Sequence, residues 1–342
     1  MTLTLDITLF LLAVPPYYDS RVTDNAIHSR YEPGIIPLLV NVIPSLTASK
    51  YVKARDRVIE AYKRYFVANG HLDPETSSFT KERMGFLMDR EMSIPDMARM
   101  ATATSIGILA NTLPATFWLV YHIMSDPVVF EDCRKELLGA VKIMGDTCEV
   151  DMAYVKESCP ILLSTFKEVF RFRGTGMSAR MMMEDFVVDQ YLLKKGSIVL
   201  IPAIVQHRLQ SAWGDNVDEF DHKRFVREPG TKRRPNPVAF RGFGGGSTLC
   251  PGRHFAATEI LTFASLIILR FDIRPVKGYW ETPGVENANM ATSIQTPDDD
   301  IEVAVQPRDD KRWVVVFSGS NKPMEVSAED IGANEVDTGD AD

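Results

Sequence analysis

Residues 255–271, FAATEILTFASLIILRF, are apolar on every side of a helix except at Glu259. A helix without a polar face has to be enclosed by protein, so the chain must build helical layers around it. Its 342 residues, 45% of them hydrophobic, supply enough apolar side chain for one large domain or two. Directly before this helix stands AFRGFGGGSTLCPGRH, residues 239–254, with the single cysteine Cys250. Core filler, redox nucleophile and metal ligand are all open to such a cysteine, and inert packing is the commonest fate of a lone one.

The rest of the chain reads as helices with a few strands. Residues 47–68 place apolar side chains at helical spacing, with acids and bases on the other face. Ser93, followed by Pro95 and Asp96, has the spacing of a capping box and opens a run that stays apolar as far as Ser125-Asp126-Pro127. Pro114 lies inside that run, where it either bends one long helix or divides it in two. Further helices are expected over 127–143 and 160–173, the second between Pro160 and Gly174. The runs DFVVDQYLL and SIVLIPAIV, separated by KKG, read as a hairpin, residues 208–239 as irregular and WVVVF at 313–317 as a late strand. The N-terminal MTLTLDITLFLLAVPP is too short to span a bilayer, is interrupted by Asp6 and lacks a signal-peptide pattern, which favours a packed segment.

Charge and cysteine content exclude several classes. From Met324 onward there are seven acids and no Lys or Arg, and the remainder carries 38 basic against 39 acidic residues, so a nucleic-acid footprint is absent. This acidic stretch, 321–342, reads as a disordered tail. Cys133, Cys148, Cys159 and Cys250 have no paired spacing, which argues against a disulfide framework and against a cysteine zinc site.

Two further groups bear on chemistry. Glu168 and Arg171 share a helix face among Phe166, Phe170 and Phe172. A surface ion pair is the bland reading; burial would demand full hydrogen bonding, and Arg224 in FDHKRF could supply a third charged group. Around Cys250, glycines at 244–246 permit a tight loop, Gly252 permits close backbone approach, and a helix N-terminus favours a thiolate.

Phe243, Gly246, Cys250 and Gly252 together form F-x-x-G-x-x-x-C-x-G, which resembles the haem-binding loop of the cytochrome P-450 monooxygenases. Glu168-x-x-Arg171 and the Phe220–Arg224–Phe225 segment match two further motifs of that family in the same order, and the resemblance covers roughly residues 15–318. It implies a mainly α fold with small β-sheets and haem b held by the Cys250 thiolate, which pushes electron density toward O–O cleavage. It also implies a structural Glu168–Arg171–Arg224 network, and a propionate-binding role for Arg180. Thr248 stands where most members carry a basic propionate contact. The distal helix of the family usually reads A/G-G-x-D/E-T; here Ala110 replaces the acid and Asn111 the alcohol, with Thr112 and Pro114 beside them. ANTLPATFW is similar to the branch of sterol 7α- and 12α-hydroxylases and prostacyclin synthase, and Thr248 fits the hydroxylases of that branch.

The resemblance implies hydroxylation of a hydrophobic sterol-, terpenoid- or lipid-like substrate, possible service in secondary metabolism, and electrons from an NADPH-dependent reductase. Complete members sit on the cytosolic face of the endoplasmic reticulum; for this chain, peripheral or cytosolic placement is expected. The alternatives are a prostacyclin-synthase-like isomerase that needs no reductase, and an inactive fragment. The match begins near the middle of complete members, so residues 1–320 are expected to form a P-450 domain lacking its N-terminal portion, with the haem-binding half from about 130. Weak haem retention by this polypeptide alone follows from that expectation.

Overall fold

The computed structural model describes residues 31–40, 43–74, 76–226, 237–288 and 292–319, together with Met324, Val326, Ser327 and Asp330. The N-terminal apolar segment and most of the acidic stretch lie outside the described residues. The chain divides into two compact units: residues 1–114 with 283–292 and 296–301, and residues 115–282 with 293–295 and 302–342.

In the first unit, helix α1 (Ser49–Val67) buries Ala54, Val58, Ala61 and Tyr65, the 4-3-4 spacing that lines one face. Helix α2 (Ser78–Met88) is capped by the Ser77 hydroxyl, which accepts from the Thr80 amide at 3.3 Å. Tyr65, Phe66, Met84, Leu87, Met97, Ala98 and Ala101 form one core cluster. Helix α3 runs unbroken from Ile94 to Ser125 through Pro114, so the alternative of two separate helices is overturned. Its start follows the capping-box reading: Ser93 Oγ accepts from the Asp96 amide at 3.3 Å and donates to its carboxylate at 2.7 Å. Among the described residues α3 is the one helix long and apolar enough to cross a membrane, and 61% of its apolar 18-residue window is buried within protein.

The second unit takes the C-terminal turns of α3, where Trp118, Leu119 and Ile123 are fully buried. Asp126 caps α4 (Pro127–Leu138), its Oδ1 accepting from the Val128 amide at 2.8 Å. The expected helix 127–143 is corrected at its end: Val141–Met144 (β1) pairs antiparallel with Thr147–Asp151 (β2) around Gly145-Asp146, with Gly145 at φ +58°. That two-residue turn needs left-handed backbone, which glycine supplies. Strand β2 pairs in parallel with β9 (Arg312–Val316), giving the order β1-β2-β9. Helices α5 (Met152–Ser158) and α6 (Pro160–Arg173) follow, and the Glu136 carboxylate receives the Ile161 and Leu162 amides at the start of α6.

The expected hairpin is also corrected. Its turn is at Asp189-Gln190, pairing β4 (Phe186–Val188) with β5 (Tyr191–Leu193). The segment after KKG, β6 (Ile198–Pro202), instead pairs with β3 (Met177–Met181), and Ala203–His207 is a short helix, α7. Helix α8 (Arg253–Arg270) occupies the place foreseen for the all-apolar run, burying Ala257, Ile260, Leu261, Ala264 and Ile268. Strands β7 (Phe271–Pro275) and β8 (Val303–Pro307) pair beyond it. Four described residues of the acidic stretch are packed or bonded: Met324, Val326 and Ser327 are buried, and Asp330 pairs with the partly buried Arg253.

Leu162 on α6 is fully enclosed. Leu162→Ala is expected to lower unfolding free energy by about 2–5 kcal/mol, read from the urea midpoint, whereas an unchanged midpoint would contradict this packing.

Candidate functional site

Within the second unit, α6 places Glu168 and Arg171 one turn apart, with both side chains at 0% exposure. Their contact is bidentate: Arg171 Nε donates to Glu168 Oε2 and Nη2 to Oε1, each at 2.7 Å. Arg171 Nη1 also donates to the carbonyls of His207 and Val217 at 2.9 Å, and Nη2 to that of Glu219 at 3.1 Å. All five guanidinium donors are therefore used. Arg224 completes the cluster, with Nε 3.1 Å from Glu168 Oε1 and its amino groups on the carbonyls of Trp213, Asn216 and Glu219. The Asp221 amide adds a further bond to Glu168 at 3.0 Å. Two cations and one anion thus tie together carbonyls across residues 207–224, where regular structure is limited to the end of α7 and the four-residue helix Gln210–Trp213.

His207 carries this order onward. Its Nε2 accepts from the Arg241 amide at 2.9 Å and its ring stacks on Phe240 at 5.9 Å. Burial, aided by the Arg171 charge, pushes its pKa down to about 3, so the ring is neutral and the accepting nitrogen unprotonated at ordinary pH. Sequence reasoning missed His207. Its only signal was a histidine two residues after the apolar run IPAIV.

The cysteine loop is built on this support. Phe243 stacks on Phe170 of α6 with centroids 4.5 Å apart. Gly244 has φ +81°, and a Cβ there would lie 2.8 Å from the Thr248 carbonyl, so this position requires glycine. The loop closes when the Cys250 amide donates to the Phe243 carbonyl at 2.9 Å. Gly246 also takes positive φ, +56°, while a Cβ on Gly252 would come within 4.0 Å of the Cys250 sulfur. Arg180, on β3, reaches the same loop, with Nη2 2.9 Å from Thr248 Oγ1 and 3.3 Å from the Gly245 carbonyl.

Cys250 differs from the other three cysteines in exposure. Cys133, Cys148 and Cys159 are buried, and burial pushes the thiols of Cys133 and Cys159 up to about 12. Cys250 alone is half-exposed, three residues before the 18-residue α8. A thiol presented by this loop, near a helix N-terminus, fits the donor an iron porphyrin needs. On α3, Ala110 and Thr112 are buried and Asn111 is half-buried, all within the first unit.

The family model described as Cytochrome P450 matches residues 18–297, and the chain belongs to the cytochrome P450 family. It is 36% identical over 301 residues to the cytochrome P450 monooxygenase nodJ of Hypoxylon pulicicidum, covering 83% of this chain and 58% of that protein. A cytochrome P450 monooxygenase of Gibberella zeae is 28% identical, with 80% and 54% covered. A cholesterol 7-alpha-monooxygenase of Cricetulus griseus is 27% identical, with 78% and 56% covered. The chain spans a little over half the length of these curated relatives.

Arg171→Met, which leaves Glu168 buried beside one remaining cation, is expected to cost about 3–5 kcal/mol in urea unfolding; a loss below 1 kcal/mol would mean the pair is solvated. The second prediction concerns acid. His122 and His207 both have folded pKa values lowered from 6.5 to about 3 by burial. Between those pH values the unfolded chain binds protons that the folded chain refuses, so stability falls as pH drops from 6.5 toward 3. His207→Gln should flatten that dependence, and an identical slope would contradict the buried neutral ring.

Proposed function

We propose that the whole protein is a haem-thiolate monooxygenase that hydroxylates a hydrophobic, sterol-, terpenoid- or lipid-like substrate. The observation that carries this reading is the half-exposed Cys250 thiol on a loop tied through His207 to the buried Glu168–Arg171–Arg224 cluster. In this reading Cys250 would hold the haem iron through its thiolate. Phe243, Gly246 and Gly252 shape the cysteine loop, and Arg180 and Thr248, bonded to each other at 2.9 Å, would contact a propionate. When bound, the haem supplies oxygen-activating redox chemistry, favoured by electron donation from the thiolate. The Glu168–Arg171–Arg224 cluster acts structurally, keeping the loop in one geometry.

Ala110, Asn111 and Thr112 are assigned to the distal side. Ala110 cannot carry a proton, and the Asn111 amide can orient water or an oxygen ligand without acting as an acid. This substitution leaves open a second reading, rearrangement of a peroxide already present in the substrate, as in prostacyclin synthase. Hydroxylation needs two electrons from a partner such as an NADPH-dependent reductase; the isomerase needs none. The two fungal relatives support a role in secondary metabolism, and the cholesterol 7-alpha-monooxygenase supports the sterol-like substrate class. Placement at the endoplasmic reticulum membrane is part of the same proposal.

Expression with haem precursor, followed by reduction and carbon monoxide, tests the ligand. A Soret band at the thiolate-ligated position that disappears in Cys250→Ala supports it, while a band of equal size in the variant overturns it. Product formation that requires NADPH and reductase selects hydroxylation; turnover without them selects isomerisation.

A further inference from the structure

Arg173 closes α6 with only 9% of the residue exposed. Its guanidinium lies over the Trp118 ring, with Cζ 3.6 Å from the centroid, and 5.3 Å from the ring of Phe172. A ring face attracts the charge, but the N–H groups in the guanidinium plane still need acceptors. The buried Nε of Arg173 has none. Two residues earlier, Arg171 uses every donor it has. On α3, the His122 ring stacks on Phe220 with centroids 3.7 Å apart, and lies 6.0 Å from the Trp118 ring and 6.1 Å from that of Phe172. His122 and Arg173 therefore share the same two aromatic neighbours, and His122 Nε2 is likewise buried without a partner.

The charges around this pair do not balance. Burial pushes the Arg173 pKa down to about 10, which still leaves it charged at neutral pH. The ionisable groups close enough to act on it are Tyr121 and Arg208, and the second is itself a cation. Asp218 meets the Arg208 charge at 2.7 Å. Among the described residues no carboxylate does the same for Arg173, and a buried cation without a counter-charge is costly to a fold. Burial, with the Arg173 charge adding to it, keeps the His122 ring neutral, at a pKa of about 3.

We propose that Arg173 and His122 together hold a small monovalent anion of the halide class, which ties α3 to the C-terminal end of α6. Such an ion supplies both things the site lacks, a counter-charge and an acceptor for the Arg173 Nε–H group. The His122 tautomer with its proton on Nε2 donates a second bond to it. A phosphate or sulfate fits poorly, because the remaining neighbours are rings and the Trp118 N–H is already given to the Gln295 carbonyl at 2.7 Å. Stability of this unit then depends on which anion is present, apart from any haem chemistry.

The test is thermal unfolding of the full chain in sodium chloride and in sodium gluconate at equal ionic strength, which matches screening while gluconate is too large for the site. Chloride is expected to raise the midpoint saturably, by about 2 °C at a tenfold excess over its Kd. Arg173→Met should remove the difference between the two salts. His122→Phe, which keeps a ring against Phe220, should require severalfold more chloride for the same shift. Equal midpoints in the two salts for the unaltered chain, or a chloride gain that survives Arg173→Met, would overturn the proposal. If Arg173→Met does not fold, the chloride NMR line width decides. A saturable excess width that shrinks in His122→Phe supports the site, and a width equal in the variant and the unaltered chain overturns it. Neither readout requires haem or a reductase, so both report on the anion even if the chain fails as a haem protein.

Discussion

The buried contact between Glu168 and Arg171 is the constraint on which the rest of the site depends. Removing two ions from water costs several kcal/mol each, and mutual attraction alone does not reliably repay it. The structure offsets the cost through extra hydrogen bonds. Arg171 uses every donor, and Glu168 also receives Arg224 and the Asp221 amide. What this arrangement gains is geometry. Carbonyls of His207, Val217 and Glu219, spread over a stretch with little regular structure, are fixed to a helix by one guanidinium.

From that fixed segment, order passes to the cysteine loop by two routes. One is polar, from the neutral His207 ring to the Arg241 amide. The other is apolar, from Phe166 and Phe170 to Phe243. Both converge on a loop whose tightest point, Gly244, admits no side chain. The loop holds Cys250 half-exposed, while the remaining cysteines are sealed in the core, where burial pushes the thiols of Cys133 and Cys159 up to about 12. Reactivity is therefore allotted by position, since all four residues are chemically identical.

Much of this was legible in sequence because it rests on local pattern. The periodicity of α1, the Ser93–Asp96 start of α3, the Pro160–Gly174 limits of α6 and the all-apolar α8 are short-range signals, and the structure follows them. The errors fell where partners are distant or turns were overlooked. KKG has the composition of a hairpin turn, yet Asp189-Gln190 makes that turn and β6 pairs with β3. The Gly145-Asp146 turn was available to inspection but was absorbed into a helix by the apolar residues that flank it. His207 gave almost no signal, since its role consists of contacts with residues more than 30 positions away.

By itself the sequence determined the helical character of the chain, the glycine-rich loop around Cys250, and the charged trio that marks the P450 family. Each is a matter of residue type at fixed spacing. Tertiary structure decided whether those charges are buried or solvated, which cysteine is exposed, and that Asp330 folds back onto Arg253. Burial and long-range pairing depend on what the surrounding chain places in contact, and spacing along one segment carries no record of that.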